Sequence, residues 1–387
     1  MSIVGMIAEY NPMHNGHIYH ISESKKISGS DTVVCAMSGN FVQRGMPAIL
    51  SKQIRANHAI LNGADLVIEI PTVFTVASSN VYAKTGVTLL ESLNCDYISF
   101  GSEEGDIDKL GNVSKNILDE RIEDAIKSFC SEGLSYPRAR EMAYKKLFKN
   151  EDTKILSQPN NILAIEYLKY IKKMEPITVK RQGSAYEDTS IEYKMKYQSA
   201  SAIRRAVYDN VSIDGYVPDI VADDLKKGDR IDYETLFQLL RYKIITGSSY
   251  EFEKCPSGGE GLGNKLKNEI NKASSFEELA ELMKSKRYTR TRINRLFMQV
   301  LLSIDREQID YGDVGYIKFL ACNQKGAKVL NKSKLDVISN VNKTSLASKA
   351  SSYYLEKDLL AGDIYNILSG KNLYINSEKA LKPNFIP

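Results

Sequence analysis

The chain has no tryptophan, only four histidines and only five cysteines among its 387 residues. The closest two cysteines, Cys95 and Cys130, are 35 residues apart, so there is no CxxC pair. That spacing excludes the usual zinc and dithiol motifs and predicts reduced thiols in a cytoplasmic protein. No metal site is predicted. No stretch reaches the ~20 apolar residues of a membrane span. The start, MSIVGMIAEYNP, lacks the basic and apolar regions of a signal peptide. No membrane association and no protein partner are expected. Lys and Arg number 52 and Asp and Glu 48, for a net charge of +4. That balance excludes a uniformly basic nucleic-acid binder. Hydrophobic residues at 43% and charged residues at 26% are ordinary globular usage.

The first hundred residues alternate short apolar runs with helical patterns. Strands are expected at 3–8, 32–37, 65–70 and 96–100, and again at 177–180. Helices are expected from near His17, over 51–61 and over 79–93. Near-continuous apolar strands separated by helices predict a parallel sheet covered on both faces. Right-handed crossovers make it a Rossmann-like, doubly wound α/β sheet. A chain this long usually splits, so two domains are expected. They are residues 1–212, nucleotide-binding, and residues 213–387, mainly helical. Residues 221–387 carry 27 basic and 21 acidic residues, a net of +6, which leaves −2 for the rest.

Three of the four histidines, His14, His17 and His20, fall within seven residues. They belong to Glu9-Tyr-Asn-Pro-Met-His14-Asn15-Gly16-His17, between the first strand and the first helix. The carboxyl end of the first strand in an open α/β sheet is where such folds hold phosphates. The helix start adds free N–H groups and a positive dipole end. Imidazole N–H groups there can stabilise charge building on a phosphate during nucleotidyl transfer.

This HxGH element resembles the signature of the nucleotidyltransferase superfamily that includes class I aminoacyl-tRNA synthetases. The runs AEYNPMHNGHIYH, MSGNFVQRG (37–45), ADLVIEIP (64–71) and FGSE (100–103) narrow the resemblance, as do QPNNIL (158–163), VKR (179–181) and SASAIR (199–204). Together they are similar to the bacterial tRNA(Met) cytidine acetate ligases. The resemblance implies a ligase that turns ATP, as ATP·Mg²⁺, and free acetate into acetyl-adenylate. It then acetylates N4 of the wobble cytidine of elongator tRNA(Met), giving N4-acetylcytidine without acetyl-CoA.

By the same resemblance His14 and His17 are catalytic. The ATP site comprises Ile7, Ala8, Glu9, Tyr10, Asn11, Pro12, Met13, His14, Asn15, Gly16, His17, Ile18, Tyr19 and His20, with Gly101, Asn161 and Arg181. Of the pair Asn160 and Asn161, the contact is assigned to Asn161. Ser199, Ser201 and Arg204 match the superfamily's second phosphate-contacting turn. Met13 stands where relatives have an aromatic, and residues 184–188 read SAYED where a Gly-Tyr-His-Asp-like run is familiar.

The segment 284–295, KSKRYTRTRINR, holds six basic residues and no acid. Lys284, Lys286, Arg287, Arg290, Arg292 and Arg295 suit RNA phosphates, with a solvated helix face as the other reading. An alternative activity is adenylyl transfer to a small phosphate-bearing cofactor precursor.

Overall fold

The run Ile3–Ala8 forms β1 and Thr32–Ser38 forms β2, both almost wholly buried. Leu66–Ile70 (β5) and Tyr97–Ser102 (β6) follow, with Glu175–Lys180 as β7. β2 and β6 flank β1 in parallel, so Met6 sits between Cys35 and Ser99. β5 extends the sheet beyond β2, and β7 extends it beyond β6, both in parallel. The helices α1 (Asn15–Ser28) and α2 (Lys52–Leu61) connect the first strands. A two-stranded hairpin, β3 (Phe41–Val42) and β4 (Met46–Pro47), interrupts the path from β2 to α2. The computed structural model describes residues 2–149, 153–182, 197–227, 230–346, 348–371, 377–380 and 382–386. The run 184–188 lies outside the described residues.

With two later strands, β8 (Ile317–Cys322) and β10 (Asn384–Phe385), the order of the main sheet is β10-β8-β5-β2-β1-β6-β7. Chain order runs outward from β1 in one direction through β2 and β5, and in the other through β6 and β7. β1 and β6 therefore bound the switch point, where the carboxyl ends of neighbouring strands open a crevice.

The sequence-based boundary at 212/213 does not coincide with the sheet. β8 (Ile317–Cys322) pairs antiparallel with β5, and β9 (Val337–Ile338) and β10 (Asn384–Phe385) pair with β8. One apolar core runs from Leu66, Ile68 and Phe74 on the first half to Phe237, Phe297 and Tyr354 on the second. The opposite face is covered partly by helix Asp219–Lys227, through Val221, Ala222 and Leu225. Between these returns the second half is mainly helical, with helices at Tyr233–Thr246, Phe276–Met283, Arg290–Leu301 and Lys349–Leu368. Among the described residues no helix is long and apolar enough to cross a membrane.

Four buried charges fasten this return. Lys52 of α2 contacts Glu69 of β5 at 2.7 Å and also Glu378. Lys318 of β8 contacts Glu69 at 3.0 Å and Glu378 at 2.8 Å. Burial alone would raise the Glu69 carboxyl, but Lys318 and Lys52 bring it below its ordinary value. Removing one cation of such a set leaves two buried carboxylates sharing a single lysine. Lys318→Met is expected to destabilise the protein by about 3–5 kcal/mol, read from urea denaturation. A loss under 1 kcal/mol would show that the set is solvated.

Candidate active site

The turn between β1 and α1 is shaped by its own histidines. His14 is the N-cap of α1, with φ −144° and ψ 168°. Its Nδ1 accepts from Gly16 N at 3.1 Å. His17 Nδ1 accepts in return from His14 N at 3.2 Å. Two imidazoles thus play the parts that Ser and Glu take in a capping box. The rings stack with centroids 3.7 Å apart and 26° between planes. Gly16 is what lets the first ring fold back: a Cβ there would lie 2.9 Å from His14 Cε1.

A nitrogen that accepts an N–H bond carries no proton. Each neutral ring therefore holds its proton on Nε2. The electrostatics agree. Burial lowers His14 to about 3, aided by the Arg181 and Arg204 charges. Burial also lowers His17 well below its ordinary value, with His14, His20 and Arg181 adding to it. His20, whose Nε2 lies 3.0 Å from Ser99 Oγ, is lowered to about 4 by burial and Arg181.

The loop before His14 is clamped from both sides. Arg55 of α2, fully buried, donates through Nη1 to Glu9 O at 2.6 Å and to Ser38 O at 3.1 Å. It also donates to the carbonyls of Leu50 and Gly39. Arg204 Nη1 donates to Asn11 O at 2.5 Å, and Asn11 Oδ1 accepts from Ile49 N at 2.8 Å. Tyr10 takes a left-handed φ of 46°, a conformation a non-glycine residue keeps only where its surroundings enforce it. Glu9 Oε1 accepts from Gln43 N at 2.9 Å and so ties the hairpin β3–β4 to the same loop.

These elements enclose a cavity of about 380 Å³ at the switch point. That is within the size range of small-molecule sites. Of the expected residues, Ile7, Ala8, Glu9, Tyr10, Asn11, His14, Gly16, His17, Tyr19, His20, Gly101, Arg181, Ser201 and Arg204 line it. Pro12, Met13, Asn15, Ile18, Asn161 and Ser199 are not among the lining residues. Met13 is fully buried in the core. Asn15 bonds backward, N to Tyr216 O and Nδ2 to Gly215 O. Ser199 Oγ caps helix Ala200–Tyr208 by accepting from Ala202 N at 3.0 Å.

Of the paired asparagines, Asn160 lines the cavity and Asn161 is fully buried. Asn161 Oδ1 accepts from Glu103 N and Glu104 N, and its Nδ2 donates to Gln158 Oε1. Glu103 in turn caps helix Pro159–Leu168, accepting from Asn161 N at 2.8 Å and from Asn160 Nδ2. The reason is helix phase. Both residues sit in the first turn, and only the position of the helix start decides which one faces outward.

Arg44, Gln43, Lys180 and Tyr197 also line the cavity and were missed. Arg44 and Gln43 stand inside the MSGNFVQRG run already singled out, and a hairpin directly after β2 was the overlooked signal. Tyr197 stacks on Tyr19 with centroids 5.5 Å apart. Among the described lining residues Arg44, Lys180, Arg181 and Arg204 face a single carboxylate, Glu9. Such a set complements a polyphosphate. Among the described residues no cluster of His, Cys, Asp or Glu is placed to hold a metal.

The six basic residues of 284–295 do not join this cavity, and most have local counter-charges. Arg290 reaches Glu277 at 2.6 Å and Glu281 at 3.2 Å. Lys284 meets Glu281 at 3.4 Å, and Glu260 meets Arg287 at 3.1 Å and Arg292 at 3.7 Å. Lys286 is exposed, and Arg295 is half-buried.

A parallel α/β sheet with an HxGH turn and a cationic cavity at its switch point defines the nucleotidyltransferase class. The sequence model of the HIGH Nucleotidyl Transferase family matches residues 1–380. A Clostridium perfringens protein named tRNA(Met) cytidine acetate ligase is 39% identical over 404 residues, covering 99% of each chain. A Thermoanaerobacter sp. protein of the same name is 39% identical over 95% of each chain. The crystal structure of Thermotoga maritima TmcAL superposes with a TM-score of 0.91 over the full length of both chains, at 26% identity. A second form of that protein, bound with alpha-thio ATP, gives 0.89 at 25% identity. The chain belongs to the HIGH nucleotidyl transferases and, within them, to the tRNA(Met) cytidine acetate ligase family.

Gly16→Ala is expected to push the His14 ring off Gly16 N and to lower turnover by about 10²-fold, the scale of losing one preorganised donor. The circular dichroism spectrum should remain native. Unchanged turnover would show that the ring position is immaterial. A pH–rate profile offers a second check. His14 at about 3 and His20 at about 4 stay neutral above pH 5. Turnover between pH 5.5 and 8 should therefore show no imidazole inflection near the ordinary ~6.5. An inflection there would mean that a site histidine works as a cation.

Proposed function

We propose that this chain ligates acetate to N4 of the wobble cytidine of elongator tRNA(Met), using ATP and passing through acetyl-adenylate. The observation that carries this reading is the full-length likeness to proteins bearing that name. A cavity suited to ATP supports it: two fixed Nε2–H donors and four cations stand against one carboxylate. Adenylyl transfer to a phosphate-bearing cofactor precursor is not favoured, because the likeness runs through both halves of the chain.

In the first step an acetate oxygen attacks the α-phosphorus of ATP. The bond from that phosphorus to the β-bridging oxygen breaks, and pyrophosphate leaves. His14 and His17 present Nε2–H groups to the oxygens on which charge builds. Because the rings stay neutral, they donate without surrendering the proton. Arg181, Arg204 and Ser201 hold the phosphates, and Arg204 keeps the loop in place at Asn11. A Mg²⁺ ion accompanying the nucleotide would screen its phosphates, and among the described lining residues Glu9 is the carboxylate that could help hold it.

In the second step cytidine N4 attacks the acetyl carbonyl. The carbon–oxygen bond to AMP breaks, AMP leaves, and N4 gives up a proton to yield N4-acetylcytidine. The donor is acetate itself, with no acetyl-CoA. An unstacked anticodon base suits this geometry, since RNA is read mostly through splayed single-stranded bases. Basic residues of the second half, among them Lys284, Lys286, Arg287, Arg290, Arg292 and Arg295, face the RNA.

The test is incubation with ATP, labelled acetate and tRNA(Met). Label is expected in the RNA, with acetate-dependent pyrophosphate exchange in its absence. His17→Ala should lower that exchange by about 10²–10³-fold. Label arriving from acetyl-CoA and not from acetate would overturn the proposal.

A further inference from the structure

Five of the six basic residues in 284–295 are paired with carboxylates or exposed to water. Arg295 is different. Its Nε is sealed from solvent and has no hydrogen-bond acceptor among the described residues. The residue as a whole is half-buried. Burial, with the Arg292 charge adding to it, pulls the guanidinium down to about 10. A buried cation without a partner is a standing cost to the fold, and such groups are normally paired.

The position of Arg295 gives that cost a use. Gly45, at φ 73°, turns the hairpin β3–β4 directly onto helix Arg290–Leu301. A Cβ at Gly45 would fall 2.3 Å from Arg295 N, so only glycine allows the hairpin so close. The neighbouring hairpin residues Gln43 and Arg44 line the cavity, and Gln43 is bonded to Glu9 of the histidine loop. The helix is held rigidly there: Gln299 donates to Val76 O and accepts from Ser257 N. Arg295 therefore lies behind the cavity wall, on the helical half, and is not itself a lining residue.

A base that enters the cavity must bring its flanking phosphates across this rim. Resting on the RNA substrate argued above, we propose that Arg295, with Arg44 of the adjoining hairpin, seats a backbone phosphate of the RNA next to the reacting base. The four paired residues of the segment contribute little to this contact, because each already has a carboxylate. Arg295 has none to give up. Its charge is kept unpaired in the free protein so that a phosphate can complete it.

The test uses the full chain with Arg295→Met, which keeps the stem and removes the charge, and Arg295→Lys, which keeps the charge. Binding of a tRNA(Met) transcript is measured across a salt series, beside acetate-dependent pyrophosphate exchange and thermal melting. Arg295→Met is expected to bind RNA about tenfold more weakly, with a salt slope smaller by about 1. The RNA-free exchange reaction should continue, and the melting temperature should not fall. Arg295→Lys should keep most of the slope. Unchanged affinity and slope in Arg295→Met would overturn the proposal. So would a raised KM for ATP with RNA binding intact, which would assign the anion to the nucleotide. A large drop in melting temperature with both activities lost would make Arg295 structural and also overturn it. If the wild-type chain runs the exchange but never labels RNA, the RNA substrate reading is what fails.

Discussion

The start of α1 leaves backbone N–H groups without helical partners, and two of them are taken by imidazole nitrogens. That single constraint fixes much of what the site can do. A ring whose Nδ1 accepts from Gly16 N or His14 N cannot also carry a proton there. Its remaining proton sits on Nε2. The two rings are locked in tautomer, in orientation and against each other, all by the main chain that carries them. The nearby arginines then make protonation still harder, since Arg181 and Arg204 both act against a charge on His14. Cations that suit a phosphate thus also keep the histidines neutral.

The rest of the neighbourhood holds that turn still. Arg55 spends its guanidinium on the main-chain carbonyls of Glu9, Ser38, Gly39 and Leu50, joining the carboxyl ends of β1 and β2. Its charge is solvated by peptide dipoles and not by a carboxylate. Arg204 does part of the same work at Asn11 while also lining the cavity. The hairpin adds a third tie through Gln43 and Glu9. A left-handed Tyr10 is tolerable only inside such a frame.

How much of this the sequence discloses depends on how local each feature is. The strand β1, the helix α1 and the HxGH turn are contiguous, so pattern and motif together locate them. The parallel core is equally legible, because β1, β2, β5 and β6 each read as short apolar runs. β8 is not legible as part of that sheet. It lies almost 250 residues beyond β5 in the chain, pairs antiparallel, and is followed by pairings only two residues long. The buried charges Lys52, Glu69, Lys318 and Glu378 look like surface residues until the fold brings them together. Which of Asn160 and Asn161 faces the cavity is hidden for a smaller reason, since adjacent residues in a first helical turn point apart by about 100°. Ser199, singled out for phosphate, caps a helix through its Oγ, another use of a hydroxyl at that position.

The same distinction governs the charges. The count of −2 and +6 describes where charge lies along the chain, yet it says nothing about pairing. The segment 284–295 is the most basic stretch in the sequence, but Glu260, Glu277 and Glu281 lie within reach of four of its residues. Those carboxylates come from a preceding loop and a neighbouring helix, so no window on the segment itself reveals them. An exposed pair of this kind is worth little to stability and leaves little field outside. The cavity reverses the balance: four cations gather where the described lining supplies a single carboxylate, beside two imidazoles that cannot charge. What marks a binding surface here is therefore like charge gathered around one cavity, and that property belongs to the packing of distant elements and not to the composition of any one of them.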